Sequence, residues 1–362
     1  MDKKDIRSLN KKELEAEFIA LGEKKFRAAQ VYKWLASGAE SFDEMTDISK
    51  NLRQRLESLY FIPTVKILKK LVSKIDGTVK YLYQLHDGER IESVLMKYEH
   101  GYTVCISTQV GCRMGCSFCA SGIDGLFRNL YPSEMLAQVI KAGTDNGIRV
   151  SNIVLMGMGE PLDNFDNVKK FLEMVSDPQG AGIGYRHISL STSGLVDRIY
   201  KLAELNLPIT LSISLHAPFD DMRSEMMKVN KRWNINQLIK ACKDYQSVTG
   251  RRISFEYAMI KGKNDSRQCA ERLAQLLGGM LCHVNLIPVN PVKENDYVKS
   301  DQKALKQFAE MLNGFGINTT VRRTLGSDIN ASCGQLRRSV TQQESCHTKI
   351  DDKGGDKNEC LQ

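Results

Sequence analysis

The sequence predicts an α/β protein built on an open, partial barrel of (βα)6 type, with a helical module before it and a small antiparallel extension between the two. Three observations carry this. Strand-like and helix-like segments alternate from about residue 103 to 324, and repeated βα units imply a parallel sheet. Two Asp-Gly pairs, Asp76-Gly77 and Asp87-Gly88, mark hairpin turns just upstream. Residues 8–60 instead show helical spacing of apolar side chains.

In the first segment Asn10 is placed to cap a helix with Glu13 three residues on, and Leu14, Phe18 and Leu21 then share a face. Val31, Trp34 and Leu35 mark a second helix, and Ile48, Leu52, Leu56 and Tyr60 a third. Between the turns, Val79–Leu85, Arg90–Tyr98 and Tyr102–Thr108 read as antiparallel strands. The barrel strands are expected at Thr103–Thr108, Asn152–Met156, His187–Ser191, Ile209–Leu215, Ile253–Ile260, His283–Pro288 and Asn318–Thr324, with helices such as Ser133–Ala142 between them. Six connections and no clear eighth strand favour an open barrel over a closed one. Beyond Ser345 the chain turns polar and reads as a disordered tail. The expected divisions are therefore 1–62, 63–101, 102–340 and 341–362.

The chain of 362 residues is 42% hydrophobic and 26% charged, an ordinary globular balance. No apolar run approaches the roughly 20 residues of a membrane span, and the start has no signal-peptide pattern, so a cytoplasmic protein is expected. Ten cysteines there point to metal or catalysis rather than to a disulfide framework. The net charge of +8 permits a polyanionic partner and does not by itself establish one.

The strongest chemical signal is Cys112-x3-Cys116-x2-Cys119, in the loop after the first barrel strand. Thiolates are the usual ligands of iron–sulfur clusters, and the C-terminal ends of barrel strands are where such folds carry chemistry. Three thiolates leave one iron of a [4Fe-4S] cluster open. The alternatives are a zinc site, which needs a fourth ligand that the neighbourhood does not supply, and three unrelated buried cysteines. Further along, Gly157-Met158-Gly159-Glu160-Pro161 follows the second strand; it reads equally as a tight turn or as a carboxylate held for a cationic amine. Ser189–Gly194, Ser214-Leu215-His216 and Asn290 set small polar groups at later strand ends, around one rim, as a bound nucleoside requires.

The cysteine motif resembles that of the radical S-adenosylmethionine superfamily. More narrowly, residues 8–340 resemble the bacterial family that methylates C2 of adenine in large-subunit (23S) ribosomal RNA and in the anticodon loop of transfer RNA. The matching pieces are Arg90–Met96, the Cys112 loop, Gly157–Pro161, Leu190–Gly194, Ser214–His216, His283–Pro291 and Asp328–Leu336. The resemblance implies that Cys112, Cys116 and Cys119 hold the cluster. It implies that Gly159, Glu160, Ser191, Ser214, Leu215, His216 and Asn290 contact S-adenosylmethionine, two molecules of which are used per turnover.

It further implies that Cys333 becomes S-methylcysteine and transiently links to RNA. Cys105 then resolves that link by forming a disulfide with Cys333, and Glu92 accepts the C2 proton. Read alone, a lone Cys is more often a small hydrophobe, and Glu92 a solvated strand residue. Cys242, Cys269 and Cys282 look structural, and no role falls to Cys346 or Cys360.

RNA contacts are expected from the N-terminal module with Lys24, Lys25, Arg27 and Lys33, and from Arg322-Arg323 and Arg337-Arg338, with a solvated basic face as the alternative for each. A monomer served by a reducing electron-donor protein is expected. A sister activity of the same family methylates C8 of the same adenine and confers ribosomal antibiotic resistance; Pro161 and the run His283–Pro291 favour the C2 enzyme. A rival of another class is a non-catalytic RNA-binding protein with a structural metal.

Overall fold

The structure, a computed structural model, describes residues 3–289 and 296–331. Asn290, Cys333, Arg337, Arg338, Cys346 and Cys360 lie outside the described residues.

The N-terminal module packs three helices, Lys11–Ala20, Lys25–Ala36 and Lys50–Leu59. The first begins where the sequence says. The Asn10 side chain accepts from the Glu13 amide at 3.0 Å, and Glu13 returns a bond to the Asn10 amide at 2.8 Å, two otherwise orphan donors satisfied together. The third helix differs from expectation at both ends. Ser49 caps it by accepting from the Leu52 amide, so Ile48 precedes the helix. Tyr60 ends it, because its backbone turns extended and pairs in parallel with Lys4. Leu14, Phe18, Val31, Leu35, Leu52 and Leu56 form an apolar core of this module's own.

The module is fastened to the barrel by polar contacts: Asp5 accepts from the Ser133 hydroxyl at 2.6 Å, and Lys170 pairs with Glu13 at 2.6 Å. Ser133 lies in the first turn of the helix Pro132–Asn146, which Pro132 opens at a position where a missing N–H costs nothing.

Among the described residues the main sheet has ten strands. Seven run in parallel order, from Gly101–Cys105 through Val150–Leu155, Ile188–Thr192, Thr210–Ser214, Ile253–Met259 and Cys282–Pro288 to the short Thr319–Val321. These are the seven strands expected, each next to its sequence neighbour. The last is shorter than Asn318–Thr324, and His187 belongs to a helical turn before its strand.

Three antiparallel strands, Arg90–Tyr98, Val79–Gln84 and Lys66–Val72, extend the sheet beyond the first barrel strand. The sheet is therefore open: the two outer strands are paired on one side only among the described residues. Lys66, Lys69 and Lys70 are exposed along the outer strand, the charge pattern that discourages edge-to-edge pairing. Both hairpin turns carry glycine at positive φ, Gly77 at 72° and Gly88 at 88°, as Asp-Gly turns require. No helix among the described residues is long and apolar enough to cross a membrane.

Candidate active site

The cysteine loop, the second, third and fourth strand ends and the fifth strand converge on one cavity of about 280 Å³ at the C-terminal rim of the sheet. Cys112, Cys116 and Cys119 line it together with Gly159, Glu160, Ser191, Ser214 and His216. The loop bends tightly at Gly111 and Gly115, with φ of 78° and 60°, conformations that only glycine adopts cheaply. Burial pushes the Cys112 thiol up to about 12 and the Cys116 thiol well above the ordinary range. Thiolates become affordable there only beside compensating positive charge, which iron supplies. Three such sulfurs around one cavity fit a cluster. A single-ion site is a different matter: among the described residues no three His, Cys, Asp or Glu side chains are grouped to hold one ion.

Gly157 and Gly159 are glycine for a steric reason. A Cβ on Gly157 would lie 2.5 Å from the Ile106 carbonyl oxygen, and one on Gly159 would lie 2.7 Å from the Gln109 amide nitrogen, both immovable backbone. The second strand end thus crosses directly over the segment leaving the first. This crossing delivers Glu160 to the cavity wall, where it is nine-tenths buried or more. Burial raises its carboxyl group, against the bonds it accepts from the Ser193 amide at 2.7 Å and the Leu162 amide at 3.0 Å. A carboxylate has about four acceptor sites, so it can still accept from a cationic amine in the cavity.

His216 sits in the left-handed region at φ 57°. Its Nδ1 accepts from the Ala258 amide at 2.9 Å, so its proton resides on Nε2. Desolvation lowers its pKa to about 3, which keeps the ring neutral, and Phe118, from the cysteine loop, packs edge-on against it at 4.7 Å. Leu215 differs from its neighbours. Its side chain is wholly in the apolar core, and its polar contacts are backbone ones: the carbonyl accepts from Arg223.

Two residues passed unnoticed in the sequence. Arg223, fully buried, donates to the carbonyls of Ser193 at 2.7 Å, Ser214 at 3.0 Å and Leu215 at 3.1 Å, and to Asn230 Oδ1 at 2.9 Å. It ties the third strand end to the fourth. Glu256, on the fifth strand, lines the cavity and accepts from Asn285 and Ser254; desolvation raises its carboxyl group.

A second cavity of about 360 Å³ adjoins the first. The two share Met156, Ile287, Pro288, Val289 and Arg322 as common wall. Cys105 lines the second, opposite its strand partner Val94, with Met96, Tyr98 and the segment Leu325–Ala331. Side chains alternate across a strand, so Glu92 lies on the same face as Val94 and Met96. Glu92 is buried and paired with Lys80, Nζ to Oε2 at 3.0 Å. It is not the solvated residue its position on a hairpin strand suggested. Cys333 lies two residues past Ala331 and outside the described residues. No disulfide joins any two of the seven described cysteines. Cys242 and Cys269 are buried in the core, as expected, and Cys282 is half-buried beside it.

Comparison with known proteins adds the family. Residues 106–274 match the radical SAM superfamily, and residues 4–62 match the ribosomal RNA large subunit methyltransferase N-terminal domain. A protein of Alkaliphilus oremlandii, described as a probable dual-specificity RNA methyltransferase RlmN, is 55% identical over 94% of this chain and 100% of its own length. The chain belongs to the dual-specificity RNA methyltransferase RlmN family. A Clostridioides difficile member is 50% identical over 93% of this chain and 99% of its own. A solved radical SAM methyltransferase from Sphaerobacter thermophilus superposes with a TM-score of 0.88 at 42% identity, covering 92% of this chain and 98% of that one. The chain is thus a radical SAM RNA methyltransferase, with the partial-barrel fold that the βα alternation predicted.

Proposed function

We propose that this member of the RlmN family methylates C2 of an adenine in 23S ribosomal RNA and of an adenine in the transfer RNA anticodon loop. The observation that carries the reading is the shared wall between two cavities, one lined by Cys112, Cys116 and Cys119, the other by Cys105 beside the segment that runs to Cys333.

Cys112, Cys116 and Cys119 would hold a [4Fe-4S] cluster. Glu160, with Gly159, Ser191, Ser214, the Leu215 backbone, His216 and Asn290, would hold S-adenosylmethionine, Glu160 facing the amine and the neutral His216 presenting an Nε2–H donor. When bound, the cluster supplies one electron that splits S-adenosylmethionine into methionine and a 5′-deoxyadenosyl radical.

The rest of the chemistry falls to cysteines and a carboxylate. C2 of adenine is too electron-poor to displace a methyl from a sulfonium, whereas the Cys333 thiolate can do so. The Cys333 S-methyl group, donated by a first S-adenosylmethionine, loses hydrogen to the deoxyadenosyl radical from a second. Its methylene carbon bonds to C2, and the radical adduct would return one electron to the cluster, left oxidised by the cleavage of S-adenosylmethionine. Glu92 takes the C2 proton, and the pair from the C2–H bond restores the carbon–nitrogen double bond of the ring. Cys105 then attacks the Cys333 sulfur: the S–S bond forms, the S–CH2 bond breaks, and the freed carbon takes a proton to become the methyl group. The disulfide is reduced before the next turnover.

Residues 1–62 would serve as an RNA-binding module, with Lys24, Lys25 and Lys33 exposed for phosphate. Residues 63–101 would form the hairpin linker, 102–340 the catalytic barrel and loop, and 341–362 a tail. The protein would act as a cytoplasmic monomer fed by an electron-donor protein.

Replacing Cys105 tests the mechanism. Cys105→Ala protein made in cells should carry RNA covalently attached at Cys333. RNA-free Cys105→Ala protein with full turnover would refute it.

A further inference from the structure

The antiparallel extension does more than lengthen the sheet. Three of its side chains hold the segment that leads to Cys333. Asp76 accepts from the Gly326 amide at 2.8 Å. Ser73 and the Lys74 amide donate to Asp328 at 2.7 and 2.9 Å. Lys80 donates to the Asn330 carbonyl at 2.9 Å. The first two hooks lie at the hairpin turn near solvent. In the third the Lys80 side chain is fully buried, and the same Nζ is 3.0 Å from the Glu92 carboxylate. One ammonium group therefore bridges the proposed proton acceptor and the backbone three residues before the proposed methyl carrier.

We infer that Lys80 is the positioning residue of the methyl-transfer step. It sets a positive charge against the buried Glu92 carboxylate, and it holds the backbone at the Asn330 carbonyl, three residues before Cys333 in the sequence. This rests on the roles assigned above to Glu92 and Cys333.

The physical argument is one of charge. A carboxylate taken out of water reverts to its neutral form unless an opposite charge or hydrogen bonds compensate. Glu92 is 2% exposed, and Lys80 faces it across the hairpin, since Lys80 pairs with Val94, two residues along on the same face. The other titratable and charged groups around that face, among the described residues, include the Cys105 thiol, the Tyr98 hydroxyl, Asp328 in the tethered segment, and the cations Lys299, Arg322 and Arg323 on the cavity wall. Lys80 is a cation at bonding distance of the Glu92 carboxylate. A protonated Glu92 cannot take the C2 proton, and without that transfer the ring cannot accept the electron pair that leaves the S–CH2 bond when Cys105 attacks.

The test uses the full-length, cluster-loaded enzyme with an RNA stem-loop, S-adenosylmethionine and dithionite, over a range of pH. Glu92→Gln, Lys80→Met, Lys80→Gln and Lys80→Arg are compared with wild type. Iron content and 5′-deoxyadenosine yield report whether each variant is folded and loaded. Glu92→Gln should accumulate covalent protein–RNA adduct at every pH. Lys80→Met and Lys80→Gln should accumulate it at neutral pH and clear it as pH rises, with the acid limb of turnover moved up by a unit or more. That is a tenfold or greater loss of rate below the midpoint, where the ionised fraction falls tenfold per unit. Lys80→Arg should restore the neutral-pH rate in part.

Neutral variants that make normal amounts of 5′-deoxyadenosine and keep the wild-type acid limb would overturn the inference. So would a loss of turnover that is flat with pH and leaves no adduct, the signature of a merely structural lysine. Absence of adduct in Glu92→Gln would instead overturn the assignment of the proton acceptor itself.

Discussion

Replacement of Arg223 by methionine should loosen the cofactor rim without touching a cofactor-contact residue. The guanidinium is fully buried, and burial lowers its pKa only to about 10, so it is charged at neutral pH. Methionine fills similar volume and removes every donor. Three acceptors then lose this donor, the Ser193 and Ser214 carbonyls and Asn230 Oδ1, while the Leu215 carbonyl keeps its bond from the Ala217 amide at 2.8 Å.

A buried acceptor left unsatisfied costs about 1–3 kcal/mol, so three bound the loss from above. Removing a buried charge recovers part of it, and cavity water can reach the Ser193 and Ser214 end of the set. The net is about 4 kcal/mol, in line with breaking a buried charged pair from one side. At about 2–4 °C per kcal/mol for a large domain, the melting temperature should fall by about 10 °C. The third and fourth strand ends also lose their common tie, so S-adenosylmethionine affinity should fall about tenfold or more. Differential scanning calorimetry and titration calorimetry on cluster-loaded protein read the two effects. A melting temperature within 2 °C of wild type together with unchanged affinity would refute the tie between strand ends.

The remaining predictions concern the same rim. Gly157→Ala should cost about 1–3 kcal/mol in chemical unfolding, because its Cβ would meet backbone at 2.5 Å with nothing able to yield; a neutral substitution would contradict the crossing described. His216 has a folded pKa near 3 against about 6.5 unfolded, so its contribution is complete above pH 6.5 and is lost as pH falls towards 3. Urea unfolding of wild type should therefore lose about 2 kcal/mol between pH 7 and pH 5 that His216→Asn, which tolerates the left-handed backbone, does not lose; equal losses would contradict it. Cys116→Ala should bind less iron and sulfide on anaerobic reconstitution and yield no 5′-deoxyadenosine, and full iron with normal cleavage would remove Cys116 from the ligand set.

What the sequence made legible was local or periodic. The Asn10–Glu13 cap, the Asp76-Gly77 and Asp87-Gly88 turns and the seven barrel strands each announce themselves within a few residues. Features set by distant pairing did not. Tyr60 looks like the last apolar position of a helix, yet Lys4, 56 residues away, recruits it into a strand.

At the site, the cysteine spacing and the glycine run stood out because few sequences need them. Arg223 did not, since an arginine in Asp220–Met226 reads as an ordinary solvated helix residue until the fold closes over it. Glu256 was hidden for the same reason, its partners Ser254 and Asn285 making sense only across paired strands. Lys80 and Glu92 meet through hairpin register, which the turn predicted, but the burial of their pairing is tertiary. The Leu215 side chain points into the core, a direction that the motif Ser214-Leu215-His216 does not encode without its strand.

The central claim is the carbon that receives the methyl group. The most direct measurement is nucleoside mass spectrometry of unmodified 23S ribosomal RNA and transfer RNA after multiple turnovers with cluster-loaded protein, S-adenosylmethionine and a reductant. The account predicts 2-methyladenosine as the main product from both RNAs. Eight-methyladenosine as the main product, or no methylated adenosine while 5′-deoxyadenosine accumulates, would contradict it.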